Sequence, residues 1–228
     1  MLQKKICEKL MEQLLAALPK PTPAFDQIVD LGCGTGLSTE VLRVQLEHTK
    51  IIGLDFAEQA IAFARETRQK TNIEFKVADF EEKNLEDESI DLAFSNMSFQ
   101  WGISLAQILK MIYEALKMKG LLVFSLPLEN NFPEMRREHK NNFRSKDEIE
   151  ALLKKRGFEI LSTHSECCVE SFGSPLMCLR SLKKTGATVL LNAHSQRAYP
   201  SKKGETIFVE PLNRTLTYHV GFFVVRKT

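Results

Sequence analysis

The chain has 228 residues, 43% hydrophobic and 26% charged, a balance that excludes a disordered or fibrous protein. A chain of this length can bury a full core as one domain without disulfide staples, and no apolar run approaches the roughly 20 residues of a membrane span. The net charge of +2 conceals an asymmetry: residues 1–171 carry 22 basic and 27 acidic side chains, whereas residues 172–228 carry 9 and 2, so the basic end is expected to face an acidic partner.

The opening MLQKKICEKLMEQLL reads as an amphipathic helix without a signal-peptide core, which implies a cytoplasmic protein. A proline-rich hinge at residues 19–23 follows. Short runs rich in Ile, Val, Leu and Phe then predict strands at 27–31, 50–55, 73–78, 90–95 and 120–126. Helical patterns fall between them at 37–47, 57–69 and 104–118. The last of these places Leu105, Ile108, Leu109, Ile112 and Leu116 on one face, with Gly120 as its expected stop. The alternation predicts an α/β fold, a doubly wound Rossmann-like sheet of five parallel strands. A helix at 145–156, capped by Ser145 and Glu148 and closed by Gly157, leads into a strand at 158–169. A final strand at 215–226 completes a terminal pair and is expected to run antiparallel. Residues 1–228 are thus read as a single domain, with 172–214 as a basic insertion between the last two strands. The insertion opens with a helix capped by Ser174 with Pro175 in its first turn.

The five cysteines, Cys7, Cys33, Cys167, Cys168 and Cys178, show no metal-ligand spacing, so reduced thiols and no metal are expected. Cys167 and Cys168, as strand neighbours, should point to opposite faces. Tyr218 and His219 alternate in the same way, and His219 is read as structural. The remaining histidines form no recognisable set.

The segment VDLGCGTG at 29–36 ends the first strand and opens a helix, where glycines let backbone approach a ligand closely. Counted from Gly32 or Gly34, the sixth place is Leu37 or Thr39 and not glycine, so the dinucleotide fingerprint fails. A P-loop fails as well, for want of its lysine. What stands is Asp30-x-Gly32-x-Gly34-x-Gly36, with Cys33 inside the turn, which resembles the motif of class I S-adenosylmethionine (SAM) methyltransferases. Asp55, at the end of the second strand, is placed to accept two ribose hydroxyls, with Phe56 beside it. The resemblance implies that Asp79 faces the adenine amino group and that Phe80 lies against the ring. Asn96 and Gln100, after the fourth strand, are candidates for the methionine part of the donor. Trp101 is either core or pocket lining.

SNMSFQW at 95–101, SPLMCLRSLKKTGAT at 174–188 and LTYHVGFFVVRK at 216–227 resemble a narrower family, the malonyl-carrier-protein O-methyltransferases of biotin synthesis. The resemblance spans most of the chain, but the stretch before the first helix and the 190–214 segment are shorter than that family's pattern. It implies transfer of a methyl group from SAM to the free carboxylate of a malonyl thioester, leaving S-adenosylhomocysteine. A carboxylate is already ionised at neutral pH, so no general base is needed and alignment is the task. Arg180 is the expected partner of that carboxylate, because a guanidinium suits it. Lys183, Lys184, Arg197, Lys202 and Lys203 would form a docking face for an acidic acyl-carrier protein. Two other readings stay open from sequence: a class I methyltransferase acting on another small molecule, and a non-catalytic SAM-binding domain. Nucleic acid is not expected, since no aromatic-interleaved basic stripe is present.

Overall fold

In a computed structural model, described over residues 2–68, 70–81, 85–135, 142–184 and 214–228, the apolar runs form strands and the amphipathic runs form helices. The element order is α1 (Leu2–Ala17), β1 (Phe25–Leu31), α2 (Leu37–Gln45), β2 (His48–Asp55), α3 (Glu58–Arg68), β3 (Ile73–Val77), β4 (Ile90–Asn96), a 3-10 turn at Phe99–Trp101, α4 (Leu105–Ala115), β5 (Leu116–Pro127), α5 (Lys146–Arg156), β6 (Phe158–Ser171), α6 (Pro175–Lys184) and β7 (Thr215–Lys227). Seven strands lie in the order β3-β2-β1-β4-β5-β7-β6, the first five parallel and the last pair bringing the antiparallel strand. β1 and β4 are buried almost throughout, as expected of strands covered on both faces.

By its internal contacts the chain forms two compact units. One comprises Met1–Leu126, Asp147–His164 and Gly221–Thr228, and the other Pro127–Lys146 and Ser165–Val220. In the first, α1 buries Ile6, Cys7, Leu10, Met11 and Leu14 and packs on α2 and β4. α4 buries Ile108, Leu109, Ile112 and Ala115. In the second, α6 is capped as predicted, Ser174 Oγ accepting the Met177 N–H at 3.3 Å. There His219 is fixed by its neighbours, its N–H donating to Asn131 Oδ1 at 3.0 Å and its Nδ1–H to the Glu129 carbonyl at 2.7 Å. Cys167 is exposed, while the Cys168 thiol donates to Glu166 Oε1 at 3.1 Å, in keeping with their alternation.

The α4–β5 junction differs from the sequence expectation. The helix stops at Ala115, and Leu116 already pairs with Ile90 as the first residue of β5. Lys119 takes the left-handed backbone, φ 65°. Gly120 is required there for space, since a Cβ would stand 2.8 Å from the Lys117 carbonyl oxygen and 3.1 Å from that of Ile90. Gly157, by contrast, closes α5 as predicted, with φ 104°.

Candidate active site

The site is built at the carboxyl ends of the parallel strands of the first unit. β1 ends at Leu31, and the chain turns through Gly32 (φ 71°), Gly34 (φ 53°) and Gly36 (φ 80°) into α2. The turn is docked on β2, because the Gly32 and Cys33 N–H groups both donate to the Leu54 carbonyl, at 2.8 and 3.0 Å. At Gly32 a side chain would collide with Ser98, whereas a Cβ at Gly34 would meet nothing within 4 Å. The first glycine is therefore needed for packing, and the second opens a face of backbone to an incoming group.

Asp55, the last residue of β2, is aimed by backbone. Its Oδ2 accepts the Gly34 N–H at 2.8 Å and its Oδ1 the Ala57 N–H at 2.9 Å. Each oxygen of a carboxylate has two acceptor positions, so one on each remains for two vicinal donors such as ribose hydroxyls. Phe56, beside it, is 63% exposed.

Asp30 is wholly buried behind the turn. Its Oδ2 accepts the hydroxyls of Ser38 at 2.7 Å and Thr39 at 2.6 Å, both on the first turn of α2, and its Oδ1 has no partner among the described residues. Burial raises its pKa from 3.8 to about 6, with the Ser38 and Thr39 bonds opposing the rise. The neighbouring thiols stay neutral: burial pushes Cys7 up to about 12 and Cys33 higher still, with the Asp30 charge adding to both.

Asp79 is exposed on the loop after β3, and its Oδ1 accepts the Glu81 N–H at 2.9 Å. Phe80 is buried, with its ring edge-on to Phe99 at 5.8 Å. The side-chain amide of Asn96 is already engaged, donating to the Gln3 carbonyl of α1 at 3.1 Å and accepting from Ser125 Oγ at 3.0 Å. Gln100 donates to the Met97 carbonyl at 2.7 Å, and its buried Oε1 has no partner among the described residues. Trp101 is half-buried.

Sequence reasoning missed Ser98. Its hydroxyl donates to the Leu31 carbonyl at 2.8 Å and pairs with Ser95 Oγ at 2.5 Å, which ties the loop after β4 to the glycine turn. It also missed Ser38 and Thr39, whose positions just past the glycine motif were the available signal. In the second unit, Arg180 is exposed on α6. The side chains of Lys183 and Lys184, and residues Arg197, Lys202 and Lys203, lie outside the described residues.

The glycine cradle and the backbone-aimed Asp55 fit a ligand bearing a nucleoside diol, and comparison with known proteins assigns the chemistry. A family model described as a methyltransferase domain matches residues 25–168. The chain belongs to the methyltransferase family. A Coxiella burnetii protein named malonyl-[acyl-carrier protein] O-methyltransferase 2 is 36% identical over 99% of this chain and 88% of its own length. A Bacillus cereus malonyl-[acyl-carrier protein] O-methyltransferase is 32% identical over 82% of this methyltransferase and 73% of the relative. Among solved structures, a Bacillus halodurans protein described as a methyltransferase superposes with a TM-score of 0.67 at 17% identity, covering 97% of this chain and 98% of that one. A Haemonchus contortus phosphoethanolamine N-methyltransferase, solved with S-adenosylhomocysteine, gives a TM-score of 0.60 at 19% identity, covering 96% of this chain and 52% of that one. Those two likenesses establish the fold.

Proposed function

We propose that this methyltransferase binds SAM at the glycine turn and transfers its methyl group to the free carboxylate of malonyl-acyl-carrier protein, yielding the methyl ester used in biotin precursor synthesis and S-adenosylhomocysteine. The bound donor supplies a methyl group made electrophilic by a sulfonium. The similarity to enzymes named for this substrate, 36% identity across 99% of the chain, carries the assignment of the acceptor. The backbone-held Asp55 beside the open Gly34 supports the assignment of the donor.

In this reading Asp30, Gly32, Cys33, Gly34 and Gly36 form the turn that receives the donor. Asp55 accepts the ribose hydroxyls next to Phe56, and Asp79 with Phe80 serves the adenine. Asn96 and Gln100 serve the methionine part, which requires that the Asn96 amide exchange its bond to Gln3. Arg180 holds the malonyl carboxylate by one oxygen and leaves the other as the nucleophile. No proton has to move, so the protein's work is alignment of oxygen and methyl carbon, worth several kcal/mol (about 7–11 at most). Lys183, Lys184, Arg197, Lys202 and Lys203 are the proposed docking face for an acidic carrier protein. A cytoplasmic location, whose reducing conditions suit five cysteines present as thiols, goes with this reading.

The test is the intact mass of malonyl-carrier protein after incubation with this protein and SAM, beside acetyl-carrier protein and malonyl-CoA. A gain of one methyl group on the malonyl species alone is the expected result. A methylated acetyl-carrier protein, or no gain on any malonyl substrate while SAM is bound, overturns the acceptor assignment.

A further inference from the structure

Glu81 follows the Asp79-Phe80 pair, and its carboxylate reaches across to the loop after β4. Both of its oxygens accept the Ile103 N–H, at 2.9 and 2.8 Å, and Oε1 accepts the Ser104 N–H at 3.2 Å. These two amides stand just ahead of α4. Ser104 is the N-cap of that helix, its side chain accepting the Gln107 N–H, so the amides of Ile103 and Ser104 gain nothing from the helical ladder. A carboxylate on consecutive amides at the positive end of a helix is a charge-assisted contact, the strong kind of hydrogen bond.

Three further features serve this clamp. The Glu81 backbone N–H is itself held by Asp79 Oδ1, so the residue proposed to face the adenine and the residue that grips the next loop are fixed together. Phe80, between them, packs on Phe99, Phe99 on Phe124 at 5.4 Å, and Phe124 stacks on Phe223 at 4.8 Å, a ladder of rings beneath both loops. Gly102 leaves the necessary room: a Cβ there would stand 3.2 Å from Glu81 Cδ and collide with Ile108.

We infer that Glu81 is a positioning residue for the methyl donor: it locks the loop carrying Asp79 to the loop carrying Gln100 and Trp101, so that the two walls proposed for the adenine and methionine parts keep a fixed separation. This rests on the donor half of the proposed function and is independent of the acceptor.

Glu81→Ala, Glu81→Gln and Gly102→Ala test it. SAM affinity is measured by calorimetry in each variant, with the emission of Trp101, the only tryptophan in the chain, as a reporter on the clamped loop. Glu81→Ala is expected to weaken SAM binding about tenfold, to shift Trp101 emission to the red in the ligand-free protein, and to raise KM for SAM while kcat changes less than about twofold. Glu81→Gln keeps an acceptor oxygen and should recover most of the affinity. Gly102→Ala, which leaves the carboxylate but fills its path, should copy Glu81→Ala, and it carries the test if that variant does not fold. Wild-type affinity and unchanged Trp101 emission in both Glu81→Ala and Gly102→Ala overturn the inference. A wild-type protein that fails to bind SAM overturns the donor assignment beneath it.

Discussion

Asp30 is wholly buried, and the hydroxyls of Ser38 and Thr39 solvate its charge only in part. Its pKa is raised from 3.8 to about 6 by burial, so the folded state binds its proton more tightly than the unfolded chain. Its contribution is therefore most favourable below about pH 4 and is lost as pH rises through 6, a difference on the order of 3 kcal/mol. Asp30→Asn removes the titration. The melting temperature of the variant minus that of the ligand-free wild type should become more positive from pH 4 to 7, whatever constant offset the amide introduces; a flat difference sinks this account. Gly32→Ala tests the packing side of the turn. With φ 71° and Ser98 in the way of a side chain, it should cost roughly 2–4 kcal/mol in urea unfolding, and Ser98→Gly on that background should restore part of the loss. The two residues also mark what the sequence could tell. Asp30 and the glycines were legible because a turn between a strand and a helix imposes fixed spacing on its own residues, and Asp55 because it closes the apolar run of the next strand, β2. Ser98 was not, because its contact with Leu31 spans 67 positions and a serine in a loop has no local signature.

The strands and helices that carry the turn were legible in the same way, through buried runs and helical faces, and their order dictated the sheet. The failure at the α4–β5 junction has a definable cause. Leu116 fits the apolar stripe of the helix, but the parallel pairing Ile90↔Leu116 offers it an equally buried place in the sheet, and the local pattern cannot separate the two. Gly120, expected to end the helix, instead lies inside β5, where close backbone approach demands a glycine while Lys119 adopts the left-handed conformation. Lys119 is exposed, so Lys119→Gly relieves that conformation without removing packing. The variant should be more stable by about 0.5–1 kcal/mol, the left-handed penalty outweighing the extra entropy of an unfolded glycine. Gly120→Ala should be destabilising by a larger amount. Equal urea midpoints for the two variants would contradict this division of roles.

Across the whole chain, charge is distributed unevenly in a direction that bears on the acceptor. Residues 172–228 hold 9 basic and 2 acidic side chains against 22 and 27 before them, and α6 contributes Arg180 with no acidic residue along its length. A carrier protein of net negative charge would be drawn to such a segment over about a Debye length, roughly 10 Å at 0.1 M salt, and the attraction would be screened as salt rises. Malonyl-CoA offers the same reacting carboxylate without a protein surface. With malonyl-carrier protein, kcat/KM should therefore fall about tenfold between 0.05 and 0.5 M salt, with a clearly shallower fall for malonyl-CoA. The double variant Lys183→Glu, Lys184→Glu should flatten the first slope and leave SAM affinity unchanged. Arg180→Gln should instead raise KM for both malonyl substrates, because it removes the proposed partner of the carboxylate and not the steering field. Parallel slopes for the two substrates in the wild-type protein would separate the basic segment from carrier recognition, while the chemistry at the glycine turn would stand.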